Sequence, residues 1–404
     1  MTLTFRPWLI AIFFRKLRQF FMKIPFDNER IAFFSPYSSG NAKPVYDKIA
    51  KSSHFKKPYW VLLSQKETEK IKKNGIEAYY YADYKALKIF LSTPIWVLTH
   101  VDENIPIRRH KRFIDFVKDG FLSVFNIEAS PTTDNFRFKE VQLWHGLGFK
   151  AWREERKREY LIHSDVYCFT SDFFKNVWCN QFKIDPDRIK LTGYPRHDIL
   201  INRDFNVDEI KKEINVRLDS KIILFAPTWE QREDDKSIYY WSYEKIKEIN
   251  DFCEKNNAYF IIRTHHMLKT DYQRYDLSRL LYRSVDEYSN TMRLLAVTDI
   301  LITDWSSIPN DFIHLNRPTI FIDTPNPFDD DFELLPDDRV GYILNDANDI
   351  IDIMEDALDN PNSFVDSYKQ VKERVMKKIF KNPDGKSTER VVEEILKLRD
   401  SNIS

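Results

Sequence analysis

Short apolar runs alternate with longer polar segments of helical period, and this pattern constrains the chain more than any other feature of its sequence. The first half gives runs at 30–35, 59–63, 95–99, 141–144, 167–170 and 190–192; the second gives 221–226, 259–263, 299–303, 319–323 and 341–344. They are rich in β-branched and aromatic residues with little in/out alternation, as parallel strands buried on both faces require. Spacers of about 15–35 residues suit crossover helices and βαβ units. A charged stretch at 202–221 separates the two series. At 404 residues the chain accommodates two domains of roughly 150–200 residues each. The expected fold class is therefore α/β, with two doubly wound parallel sheets whose ligands sit beyond the carboxyl ends of strands.

Composition removes several function classes. Lys+Arg and Asp+Glu both total 62, so no basic excess points to nucleic acid. Eight glycines argue against repeats built on glycine turns, and 43% apolar residues place the chain among globular proteins. Cys168, Cys179 and Cys253 form no CxxC and no zinc-ligand spacing with histidine. They read as reduced, partly buried thiols.

Two segments have a membrane character. Residues 1–24 carry Arg6, Arg15, Lys16, Arg18 and Lys23 around Trp8, Phe13, Phe14, Phe20 and Phe21, with no acid before Asp27. The apolar run 7–14 is far shorter than the roughly 20 residues that span a bilayer. A basic, aromatic amphipathic helix lying at an anionic lipid surface fits better; the alternative is a helix docked on the protein's own core. Residues 105–140 pair Arg108, Arg109, Lys111 and Arg112 with Phe113, Phe116, Phe121 and Phe125. The portion 105–125 is a second candidate for the membrane face, against an ordinary surface helix with a solvated charged side.

Five constellations stand at or just after expected strand ends. Gln142-Leu143-Trp144-His145-Gly146, followed by Lys150, places an imidazole where it can act as a base near neutral pH or make a structural hydrogen bond. In Gly193-Tyr194-Pro195-Arg196-His197-Asp198, Arg196 can anchor a phosphate or stabilise a rigid turn. Ala226-Pro227-Thr228-Trp229 offers the Thr228 hydroxyl to a crevice. Arg263-Thr264-His265-His266 suits an anion, and adjacent histidines on an extended chain point apart, which disfavours a chelated metal. Thr303-Asp304-Trp305-Ser306-Ser307, with Asp311 beyond, suits a diphosphate at a helix start or simple capping by the serines.

In this order the motifs WHG…K, GYPR-x-D, APTW, R-x-H and TDWSS…DF…RP resemble those of the CDP-glycerol glycerophosphotransferase family, the teichoic-acid primases and polymerases. The likeness runs from about residue 140 to 325 and more faintly over 30–100. It implies a GT-B fold of two facing Rossmann-like domains. Residues 25–200 would receive the acceptor, a lipid-linked glycan or polyol-phosphate polymer. Residues 201–380 would bind the CDP-linked donor, and 381–404 would form a helix returning to the first domain. It also implies attack of an acceptor hydroxyl on phosphorus with release of CMP, no cofactor and no required metal, at the cytoplasmic face of the membrane. Carried over by position, His145 resembles the base. Arg263, His265, Ser306 and Ser307 resemble a pyrophosphate cradle, with His265 sharing in catalysis. Asp304, Asp311, Thr228 and Arg196 resemble residues shaping the donor site. Leu147-Gly148, His197 and Glu230 depart from the family's usual Thr-Pro, Asn and Arg, at positions bearing on the acceptor and on glycerol versus ribitol in the donor. A glycosyltransferase using a nucleotide sugar is the alternative enzyme, and a membrane-bound assembly subunit the non-catalytic one.

Overall fold

A computed structural model describes residues 24–81, 83, 86–99, 138–146, 148–149, 164–228, 240–264, 274–285, 287–325 and 333–403. The first sheet has seven strands, β1 (Arg30–Ser35), β2 (Lys57–Leu62), β3 (Ala78–Tyr80), β4 (Ile95–Leu98), β5 (Lys139–Gln142), β6 (Val166–Cys168) and β7 (Ile189–Lys190). Their spatial order is β3-β2-β1-β4-β5-β6-β7, and every pair is parallel. The second sheet contains β8 (Lys221–Phe225), β9 (Ala258–Ile262), β10 (Leu280–Tyr282), β11 (Ile300–Thr303), β12 (Thr319–Ile322) and β13 (Tyr342–Leu344). It is ordered β10-β9-β8-β11-β12-β13, again all parallel. Strand order reverses between β1 and β4 in one sheet and between β8 and β11 in the other. Both lobes are thus doubly wound, each with one topological switch point.

Each apolar run read from the sequence is a strand, with ends that agree to within two residues. The reason is visible in β8 and β11, whose residues Ile222, Ile223, Leu224, Phe225, Ile300, Leu301 and Ile302 are all fully buried. Strands covered on both faces need continuous apolar sequence. The two strands without such a run, β3 and β10, are three-residue edge strands. An edge covered on one side demands less of its sequence.

The chain crosses lobes twice. After β7 it turns through Pro195–His197 and enters the second lobe's core at Leu200, Ile210 and Ile214. Near its end the helix Ser387–Ile403 returns to the first lobe, where Val391, Val392 and Ile395 join Val45, Ile49 and Leu62 in one core cluster. The N-terminus of that helix is held by Asp198, whose Oδ1 and Oδ2 accept from the backbone N–H groups of Ser387 at 3.0 Å and Thr388 at 2.7 Å. A carboxylate there satisfies orphan donors and complements the helix dipole. The amphipathic segments proposed at 1–24 and 105–125 lie outside the described residues, Ile24 excepted.

Candidate active site

The carboxyl ends of the two sheets approach one another at their switch points. Tyr37, on the loop after β1, acts electrostatically on the Arg263 guanidinium at the end of β9. The backbone N–H of Glu333 donates to the carbonyl of Phe149 at 2.8 Å. A Cβ placed on Gly146 would stand 3.5 Å from Ser307 Oγ and 3.7 Å from Arg196 Nη2. The turn after β5 therefore abuts the segment after β11 with little room between them.

His145 sits exposed on that turn. Its Nδ1 lies 3.2 Å from the carbonyl of Thr99, which follows β4 at the first switch point. A carbonyl only accepts, so Nδ1 carries the proton and the basic lone pair of the neutral ring is on Nε2. Trp144, immediately before it, has φ 56°. Among the described residues the other non-glycine positions with positive φ are Lys183, Arg203, Asn215, Asn257 and Asn316. A buried indole in this region carries strain of about 1–3 kcal/mol and persists only where its surroundings over-determine it. Here they do. The Trp144 N–H donates to Gln142 Oε1 at 3.0 Å, and Asn41 Nδ2 donates to the carbonyls of Leu143 and Trp144 at 3.1 and 3.0 Å. The indole packs edge-on against Trp178 at 4.4 Å. This turn ends β5 at Gln142, two residues before the end of its apolar run.

Arg196 takes a different place from the phosphate anchor suggested by its sequence context. Its Nε and Nη2 reach Asp311 Oδ1 at 2.9 and 2.7 Å, and its Nη1 donates to the His145 carbonyl. His197 Nε2 donates to the same Asp311 oxygen at 2.6 Å. Burial opposes ionisation of Asp311, yet Arg196 and the His197 hydrogen bond hold its carboxyl below the ordinary range. Burial also keeps His197 below its usual value, against the pull of Asp311. The two ion-pair side chains are only 9% and 6% exposed, and removing one partner of a buried pair costs about 3–5 kcal/mol. Arg196 and Asp311 thus join the lobes.

The second lobe's motifs separate into orienting and cleft-facing groups. Asp304 Oδ1 accepts from the Thr228 N–H at 2.8 Å and the Thr228 hydroxyl at 2.6 Å, and Oδ2 accepts from Tyr240 at 2.6 Å. Asp304 is buried and ties the β8 and β11 ends together. Arg263, expected in a pyrophosphate cradle, is turned into its own lobe. Nη1 donates to the carbonyls of Arg283 at 3.2 Å and Tyr288 at 2.9 Å, and Nη2 donates to Thr291 Oγ1 at 2.7 Å. Burial lowers its pKa to about 10, which leaves it charged at neutral pH. Ser306 and Ser307 remain half-buried at the cleft, with Ser306 Oγ accepting from the Ile308 N–H at 3.4 Å.

The structure brings His145, Arg196, Ser307 and Asp311 together across the lobe junction. Thr228 and Asp304 form a second group at the β8 and β11 ends. His265, His266, Lys150, Leu147 and Glu230 lie outside the described residues. Sequence reasoning missed Asn41, Thr99, Tyr240 and Glu333. Asn41 had a signal, as a polar residue directly before a helix that follows a strand; Glu333 had none, being one acid among several in an acidic segment. Cys168 and Cys253 are buried and their thiols are pushed up to about 12 by that burial, away from nucleophilic use. Among the described residues no three His, Cys, Asp or Glu side chains converge as a metal-ligand set.

Comparison with known proteins adds to this geometry. A family model described as CDP-Glycerol:Poly(glycerophosphate) glycerophosphotransferase matches residues 16–397. A teichoic acid glycerol-phosphate transferase of Staphylococcus aureus is 26% identical over 268 residues, covering 62% of this chain and 63% of the relative. The chain thus spans slightly under two thirds of that relative's length. The teichoic acid ribitol-phosphate polymerase TarL of the same organism is 24% identical, covering 95% of this chain and 68% of TarL. Among solved structures, the wall teichoic acid polymerase TagF superposes with a TM-score of 0.73 at 17% identity, covering 97% of this chain and 94% of that one. At that identity the likeness bears on the fold, two facing doubly wound lobes of GT-B type.

Proposed function

Because the chain belongs to the CDP-glycerol:poly(glycerophosphate) glycerophosphotransferase family, we propose that it transfers a polyol phosphate from a CDP-linked donor to a hydroxyl of a cell-surface glycan or polyol-phosphate acceptor, releasing CMP. Glycerol phosphate is the leading donor group, with ribitol phosphate the other candidate. The observation that supports the reading is the closeness of the turn carrying His145 to Ser307, since a Cβ on Gly146 would stand 3.5 Å from the Ser307 hydroxyl at the other lobe's switch point. His145 Nε2 takes the proton of the acceptor hydroxyl as its oxygen attacks the β-phosphorus. The bond from that phosphorus to the bridging oxygen breaks, and the electron pair leaves with CMP. Ser306 and Ser307 bind the diphosphate, Thr228 borders it, and His265, just beyond β9, neutralises charge on the departing phosphate. Asp304 and Arg263 orient these groups from behind. Such a transfer depends mainly on positioning and charge stabilisation.

Turnover is scored as nucleotide release from CDP-glycerol, CDP-ribitol and UDP- or CMP-sugars with a lipid-linked acceptor. The expected result is CMP from a CDP-polyol, with His145→Ala slower by about 10²-fold or more, the usual loss for a general base. Release from sugar nucleotides alone would replace the reading with a glycosyltransferase, and a folded His145→Ala variant of near-normal rate would remove His145 from the chemistry.

We also propose that the protein works peripherally at the cytoplasmic face of the membrane. Support comes from the basic, aromatic residues 1–24, and among the described residues no helix is long and apolar enough to cross a membrane. Deleting 1–24 is expected to abolish sedimentation with anionic vesicles; retained sedimentation would exclude that segment as the anchor.

A further inference from the structure

Arg196 and Asn41 together hold three successive carbonyls of the β5 turn. Asn41 Nδ2 takes those of Leu143 and Trp144, Arg196 Nη1 takes that of His145, and the Arg196 N–H donates to Asn41 Oδ1 at 3.3 Å. This clasp spans Trp144, whose φ is positive, and the backbone of His145 itself. The same guanidinium grips the second lobe through Asp311 Oδ1, reinforced by His197. The main-chain conformation at His145 is therefore linked, through one planar group, to a residue just beyond the Ser306-Ser307 segment. The arginine fork bonds a carbonyl and a carboxylate at once in a fixed plane, whereas a lysine ammonium is a compact charge on a flexible stem and fixes no such plane.

We propose that Arg196 is a positioning residue that registers the His145 imidazole against the donor lobe, with Asp311 as its anchor and Asn41 as its partner in the clasp. The proposal rests on the reading of His145 as the base. Nε, Nη1 and Nη2 of Arg196 each contact protein, so the consequence falls on turnover rather than on donor affinity. Misplacing a reacting group by about 1 Å can cost on the order of 10²-fold in rate.

The test compares Arg196→Lys, Asp311→Asn, the double variant and Asn41→Ala in steady-state kinetics, together with hydrogen–deuterium exchange over 143–149. Each variant is expected to lower kcat by roughly 10- to 100-fold, with donor KM changed less than about threefold. The double variant should be no slower than the slower single one, because both break the same link. Exchange should rise over 143–149 while the strands of both sheets stay protected. A raised donor KM at unchanged kcat would make Arg196 a direct donor ligand and overturn the proposal. Asn41→Ala leaves the ion pair in place, so its full turnover, or unchanged exchange over 143–149 in Arg196→Lys, also overturns it. The two readings fail separately. An active His145→Ala sinks the base assignment, whereas an inactive His145→Ala beside a fully active Arg196→Lys sinks only the positioning role.

Discussion

Replacing Glu333 by Gln should make the protein more stable at neutral pH, by an amount that grows with pH. Glu333 lies at the lobe junction, where its N–H binds the Phe149 carbonyl. Burial pushes its carboxyl from the ordinary 4.5 up to about 8, with the Gln181 side chain opposing. Glu333 Oε1 and Gln181 Oε1 are buried acceptors without a donor, and a proton on Glu333 supplies one. The native protein therefore keeps this proton while the unfolded chain releases it above about pH 4.5. The native state binds the extra proton between 4.5 and 8, so stability falls as pH rises across that window. The slope approaches about 1.4 kcal/mol per pH unit, and the accumulated loss at pH 7 is about 3 kcal/mol. Gln has nearly the same shape, cannot ionise and brings its own N–H donor. Urea unfolding of both proteins at pH 5, 6, 7 and 8 measures the difference. A gap under about 1 kcal/mol at pH 5, widening to about 3 kcal/mol at pH 7, is expected. A gap that does not change with pH, or a less stable variant at pH 7, would show that the carboxyl is not held protonated.

Asp198→Ala removes both acceptors at the start of the helix Ser387–Ile403 and should cost about 1–2 kcal/mol, as lost caps do; an unchanged melting temperature with unchanged exchange protection of that helix would refute the capping role. Gly341→Ala would set a Cβ 2.6 Å from the Thr319 carbonyl and 2.8 Å from the Phe321 ring. Backbone that close cannot yield cheaply, so calorimetry should show a loss of about 1–3 kcal/mol, and wild-type stability would disprove the crowding.

Strand positions, the two-lobe division and the strand-end location of the motifs follow from the sequence alone. A strand buried on both faces must be apolar along its length, and that requirement is local and legible. The same holds for Ser387–Ile403, whose residues Val391, Val392 and Ile395 repeat at helical spacing, although only the tertiary structure named Val45, Ile49 and Leu62 as the residues they join. Tertiary structure decided what the polar groups do. Arg196 and Arg263 look alike in sequence, each a fixed charge just beyond a strand. One bridges the lobes through Asp311, 115 residues away, and the other turns inward to carbonyls at Arg283 and Tyr288. An arginine's donors go to whichever acceptors surround it when water is excluded, and those acceptors come from distant parts of the chain. Asp304 likewise draws its partners, Thr228 and Tyr240, from 76 and 64 residues away. The strain at Trp144 belongs to the same class, since no local pattern marks a tryptophan held at positive φ by Asn41, whose hydrogen bonds reach across 102 and 103 residues.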